Sequence, residues 1–215
     1  MVEEKEGKLM LFVDLEKNLE LFQLKIKFEI EDEILGIQGP SGSGKTTILN
    51  LISGLMKSQF SEIVVDDLMI ESTEKCIYLP TRERNIGYMF QDYALFPHYN
   101  VKDNIKFGMK DSALYSDLIK MLKLEKLLNR YPSEISGGEK QRVALARTLV
   151  TSPKVLLMDE PFSALDLDLR RDLYDNFREL IKTLNIPVVL ITHDNEEARI
   201  LADKIIHINK GKITA

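Results

Sequence analysis

With a single cysteine, Cys76, among its 215 residues, the sequence has no disulfide framework and no cysteine-based metal site. Cys76 is read as a small core or surface residue, and redox chemistry is unsupported. No apolar run approaches the roughly 18 residues that a membrane span needs. Met1–Met10 has neither the basic nor the apolar region of a secretion signal, so the chain is expected to be cytoplasmic. Long blocks of one charge are missing too. Lys and Arg number 29 against 34 Asp and Glu, a formal charge of −5, and this argues against a nucleic-acid-coating surface. Internal repeats, low-complexity tracts and long linkers are also absent, so a single domain over 1–215 is expected.

What is present is alternation and punctuation. From Leu21 to Ile30, Phe22, Leu24, Ile26, Phe28 and Ile30 share one face and Gln23, Lys25, Lys27 and Glu29 the other, as in an antiparallel strand buried on one side. Ile34–Ile37, Ile86–Phe90, Val155–Met158 and Val188–Ile191 are apolar throughout and predict strands covered on both faces of a parallel sheet. Helical spacing lies between them, at Ile48, Leu51, Ile52 and Leu55 and at Val143, Ala146, Leu149 and Val150. The class is therefore α/β, with an N-terminal antiparallel part. Between Pro97 and Pro132 the strand pattern gives way to Leu118, Met121, Leu122 and Leu127 at helical spacing. The core is assigned to 1–91 and 134–215, with an inserted helical lobe at 92–133.

Chemistry enters at Gly39-Pro40-Ser41-Gly42-Ser43-Gly44-Lys45-Thr46-Thr47, which follows a buried strand and opens a helix. That is the context of a P-loop. The glycines let backbone N–H groups curl around phosphates, Lys45 reaches the β- and γ-phosphates, and Thr46 offers a hydroxyl to Mg²⁺. Val155–Met158 runs into Asp159 and Glu160. Alone, such a pair reads as a solvated loop start; beside a P-loop, Asp159 suits Mg²⁺ held through its water shell and Glu160 suits a general base. Two further strands end in Gln91 and His193. In an open parallel sheet the ligand crevice lies beyond the carboxyl ends of the strands, so Lys45, Gln91, Asp159, Glu160 and His193 are expected to converge. Gln91 is placed near the metal and the water, and His193 near the γ-phosphate. His98 and His207 are read as structural or exposed.

Ser136 followed by Glu139 is a capping box ahead of the helical run Lys140–Val150. Gly137 and Gly138 also leave that helix N-terminus bare, a second anion-binding surface in the same chain.

Taken together, these segments resemble the ATP-binding cassette family from Phe12 to Ile213. Gly39–Thr47 is similar to its P-loop, Gln91 to its Q-loop and Ile135–Arg142 to its signature motif. Val155–Glu160 resembles its Walker B segment, Ser163–Asp166 its D-loop and His193 its switch histidine. The signature motif sets the chain apart from P-loop kinases. The resemblance implies an ATPase that uses Mg²⁺ and pairs head to tail as a homodimer. Each ATP then lies between one P-loop and Ser136, Gly137 and Gly138 of the other copy, and Asp166 communicates between the sites. Family members usually place an aromatic ring against adenine just after the first strand, but Glu16–Glu20 contains none. Phe12 and Phe22 are nearby substitutes for that ring, with core packing the favoured role for each.

The closest resemblance is to the ATPase of molybdate or tungstate importers, through Thr73–Pro80, Arg82–Tyr88, Gln91–Tyr99 and the short loop at Glu31–Glu33. ATPases of sulfate and ferric iron importers share similar segments, and a non-transport cassette is a further alternative. The resemblance implies a location on the inner membrane face and membrane permease subunits as partners, with an extracytoplasmic solute-binding protein acting indirectly. A permease helix is expected near Gln91–Tyr99, against Tyr93, Leu95, Phe96 and Tyr99. With the sequence ending at Ala215, inhibition through a C-terminal regulatory domain is not expected.

Overall fold

The computed structural model describes residues 9–110, 112–163 and 167–214, with the side chains of 167–172 left aside. Eleven strands form one continuous sheet among these residues. β1 (Leu11–Asn18) and β2 (Gln23–Ile30) make an antiparallel hairpin, and β4 (Phe60–Val65) joins β1 on its other side. β5 (Leu68–Ser72) and β6 (Ile77–Tyr78) extend that edge. The remaining strands are β3 (Ile34–Gln38), β7 (Ile86–Met89), β8 (Val155–Asp159), β9 (Val188–Ile191), β10 (Lys204–Asn209) and β11 (Lys212–Thr214). β10, β3, β9, β8 and β7 run parallel in that order. β11 closes the two halves into one sheet by pairing antiparallel with β10 and parallel with β2.

The apolar strands divide their side chains between two cores, as a period of two requires. Leu156, Met158, Val188 and Leu190 meet helices on one face; Val155, Leu157, Val189 and Ile191 join α1 (Lys45–Ile52) and the β1–β2 hairpin on the other. This is why β3, β8 and β9 read as unbroken hydrophobic runs. β7 departs from that expectation. It ends the sheet, and although Gly87 and Met89 are buried, Ile86 and Tyr88 are only half-buried. A strand with one neighbour lacks half of the cover that an interior strand receives.

The helical segment carries α2 (Val101–Lys106) and α3 (Ser112–Met121), followed by α4 (Gly137–Leu149); α5 (Leu167–Leu184) and α6 (Asn195–Leu201) come later. Val101, Ile105, Leu118 and Leu122 share one core with Val143, Ala146 and Leu149 of α4. Among the described residues, no helix is long and apolar enough to cross a membrane.

The far end of α1 is held by a buried guanidinium. Arg84 donates to the carbonyl of Ile52 and to that of Leu51, which also accepts from Gly54 N, and pairs with the buried Glu71 of β5. Gly54 permits this: at φ 78, a Cβ there would stand 2.6 Å from Arg84 Nε.

Cys76 is exposed, as are His98 and His207.

Candidate active site

The carboxyl ends of β3, β7, β8 and β9 lie along one edge of the sheet because these strands are parallel. There they border a cleft of about 620 Å³. Of the residues singled out by sequence, Gly39, Ser41, Gly42, Gly44, Lys45, Thr46, Thr47, Gln91, Asp159, Glu160 and His193 line it. Pro40 and Ser43 face an adjoining hollow shared with Ser41, Gly42, Asn209 and Lys210. The loop from Gly39 is tight: Gly39, Gly42 and Gly44 have φ of 153, 76 and 102, and a Cβ on Gly39 would meet the Ile208 carbonyl oxygen at 2.1 Å. Only glycine fits there. Gly44 caps α1 without a side-chain hydrogen bond, leaving the N–H groups of the first turn open to an anion.

Inside the cleft the polar groups engage one another. Lys45 Nζ donates to the carbonyls of Gly39 at 2.8 Å and Pro40 at 2.9 Å. Thr46 Oγ1 donates to Asp159 Oδ2 at 2.7 Å. Burial pushes the Asp159 carboxyl up, the Thr46 hydrogen bond opposes this, and the adjacent Glu160 adds a smaller upward push. Gln91 Nε2 donates to Glu160 Oε2 at 3.3 Å, and His193 Nδ1 lies 3.0 Å from Glu160 Oε1. Its backbone is left-handed at φ 51, an unfavourable conformation for a residue with a Cβ. That backbone is tied on both sides. Glu160 N donates to the Ile191 carbonyl at 2.9 Å, and its own carbonyl accepts from Ser163 Oγ at 3.1 Å and Gln141 Nε2 at 3.4 Å.

Ser136, Gly137 and Gly138 open α4 and are not among the residues lining this cleft. Ser136 Oγ accepts from Glu139 N at 3.3 Å, and Glu139 Oε2 accepts from Ser136 N at 2.8 Å. The Ser136 N–H holds the Glu139 carboxyl below its ordinary range. Ser136 and Gly137 are exposed. Asp166 lies outside the described residues.

The structure adds Leu19, Glu20, Leu21 and Phe22, which form one wall of the cleft. Leu19 N donates to the Phe22 carbonyl at 2.9 Å, so Leu21 and Phe22 belong to the turn between β1 and β2 and not to the strand. Leu21 is 91% exposed and Phe22 half-buried, its ring beneath Gly44. Of the two rings weighed for the adenine face, Phe22 is thus the one at the cleft. Phe12 stands on β1 under Lys27, away from the cleft. The signal for this wall was two apolar residues, Leu21 and Phe22, in adjacent positions where strict alternation requires one polar.

A parallel sheet with a glycine-rich loop between β3 and α1, and an acidic pair closing β8, defines a P-loop NTPase. The sequence matches the ABC transporter family model over residues 23–163, and the chain belongs to that family. It is 42% identical over 209 residues to the molybdenum import ATP-binding protein ModC of Pectobacterium atrosepticum, covering 96% of this chain and 59% of that protein. It is 46% identical over 199 residues to the sulfate/thiosulfate import ATP-binding protein CysA 2 of Agrobacterium fabrum, covering 87% and 57%. The chain thus spans less than two thirds of the length of these relatives. Among solved structures it resembles the dimeric post-hydrolysis state of the ATP-binding cassette MJ0796 bound to ADP and Pi. That match has a TM-score of 0.79 and 28% identity, covering 96% of this chain and 97% of the other.

Proposed function

We propose that this chain binds and hydrolyses ATP as the cassette of an importer for molybdate or a related oxyanion. The observation that carries the ATPase reading is the convergence of Lys45, the Thr46–Asp159 pair and Glu160, with Gln91 and His193, around one cleft.

The P-loop N–H groups receive the phosphates, and Lys45 exchanges the Gly39 and Pro40 carbonyls for phosphate oxygens. Thr46 Oγ1 and Asp159 Oδ2 are hard oxygen donors side by side, and they fit Mg²⁺, with Gln91 reaching it through water. Mg²⁺ keeps several waters and uses one or two carboxylates plus phosphate oxygens, so the site needs no larger acidic cluster. When bound, the ion neutralises phosphate charge. Glu160 takes the proton of the attacking water as the bond from water oxygen to Pγ forms; the bond from Pγ to the β-bridging oxygen breaks, and the electron pair leaves with ADP. His193 and Gln91 hold the Glu160 carboxylate and the γ-phosphate in register. Leu21 and Phe22 offer an apolar wall to the base.

Ser136–Gly138 supply a phosphate-binding helix end outside the cleft, which supports a head-to-tail homodimer with each ATP between two copies. ADP and Pi in the dimeric cassette MJ0796 support the same reading. Beyond Gln91, Phe96, His98, Tyr99 and Phe107 form a cluster of mutually packed rings, with Phe107 53% exposed. Beside Tyr93 and Leu95, this surface suits a cytoplasmic helix of a membrane permease and would hold the cassette on the inner face of the membrane. An extracytoplasmic solute-binding protein would deliver the cargo. ModC as a relative supports molybdate, and the 46% identity to CysA 2 makes sulfate the second reading. Reconstitution in vesicles with permeases of the molybdate and of the sulfate type, followed by ATP-dependent uptake of labelled molybdate or sulfate, decides between them. Uptake of neither removes the oxyanion assignment.

A further inference from the structure

Helix α4 is bolted to its surroundings by two arginines, each forked or bridged onto a pair of consecutive carbonyls. Arg142 Nη1 donates to Leu122 at 2.6 Å and Lys123 at 3.2 Å, at the end of α3. Five residues on, Arg147 Nη1 donates to the Ala94 carbonyl and Nη2 to the Tyr93 carbonyl, both at 2.8 Å. The Arg147 guanidinium also lies 5.2 Å from the centroid of the Phe96 ring. Tyr93 and Ala94 are consecutive left-handed residues, at φ 63 and 43, and neither is glycine. A pair of such conformations persists only where its surroundings enforce it. The Arg147 fork supplies that restraint, and a planar guanidinium alone among side chains presents two parallel donors in this way.

Gln91 stands two residues before Tyr93, with its Nε2 on Glu160. The aromatic cluster starts two residues after Ala94, at Phe96. Toward the other end of α4, ten residues or about 15 Å before Arg147, is Gly137, with Ser136 capping the helix.

We infer that Arg147 is a positioning residue for Gln91, tying its loop to α4 so that the phosphate-facing helix end, Gln91 and the aromatic surface move together. This rests on the ATPase reading above.

A double-mutant cycle in the full chain tests it. Arg147→Ala is expected to lower kcat about 10- to 100-fold, the scale set by a misplaced group near the reacting atoms. ATP affinity from equilibrium binding is expected to stay within about threefold, because the P-loop is untouched. In a Gln91→Ala background, Arg147→Ala should change kcat by less than about twofold, since two residues acting through one contact are not additive. Arg147→Lys keeps the charge without the fork; it should fall between wild type and Arg147→Ala, and it carries the cycle if the alanine variant does not fold. Losses that multiply in full, or a lysine variant equal to wild type, would overturn the inference while leaving the ATPase reading intact. A wild-type chain without ATPase activity would remove both.

Discussion

Nδ1 of His193 stands 3.0 Å from Oε1 of Glu160, a glutamate whose backbone is held in the left-handed region. His193 is 68% exposed at its side chain and Glu160 22%, so of these two cleft-lining residues the carboxylate is the more enclosed. A carboxylate aimed by its backbone and flanked by Gln91 and His193 suits the general base proposed above.

If Glu160 is that base, replacing it removes proton transfer and little else. Glu160→Gln is expected to keep ATP binding and to lower turnover by about 10²- to 10⁴-fold, the usual contribution of a general base. With ATP and Mg²⁺ the variant should elute as a stable dimer in size-exclusion chromatography. Turnover at the wild-type rate would remove Glu160 from the role.

Substitution at the bare end of α4 separates binding from turnover. Gly137→Trp is expected to suppress hydrolysis while a single chain still binds nucleotide at Lys45, as read by fluorescence of a labelled ATP. If the active unit is the proposed pair, wild-type turnover should rise more steeply than linearly with protein concentration. Full activity per chain at high dilution would exclude the sandwich.

Glu139 ties acid stability to the same helix end. Its folded-state pKa lies below the ordinary 4.5, so its contribution is fully present above that value and is lost as pH falls through the folded pKa. Glu139→Gln should therefore melt lower than wild type at neutral pH, and the two melting curves should converge in acid. A constant difference at every pH would locate the effect elsewhere.

Arg84 makes a prediction about stability alone. Arg84→Met leaves Glu71 buried without its ion-pair partner and the Ile52 carbonyl without the Arg84 donor, at a cost of about 3–5 kcal/mol in urea unfolding. Replacing Glu71 by Leu in that variant should recover part of the loss, since both buried charges are then gone. No recovery would show that the α1 carbonyls, and not the ion pair, carry the cost.

How far the sequence reached depends on what each feature answers to. β3, β8 and β9 were legible because cover on both faces leaves only apolar side chains, and the residues of the cleft because a glycine-rich loop and strand-end carboxylates carry their chemistry in their identity. β7 was over-read, since Ile86 and Tyr88 look the same in an edge strand as in an interior one. β10 and β11 escaped notice because they are mostly exposed. Arg147 escaped for another reason: it grips the carbonyls of Tyr93 and Ala94, and a carbonyl is common to every residue.

Lys45, finally, bonds to the carbonyls of the loop that carries it. A control variant at this position is therefore not silent before nucleotide arrives. Lys45→Ala would free two carbonyls at the mouth of the cleft, so lost affinity in that variant would combine a missing phosphate partner with a loop that has changed shape. Proteolytic nicking of Gly39–Gly44, compared in the two proteins without nucleotide, would tell the two losses apart.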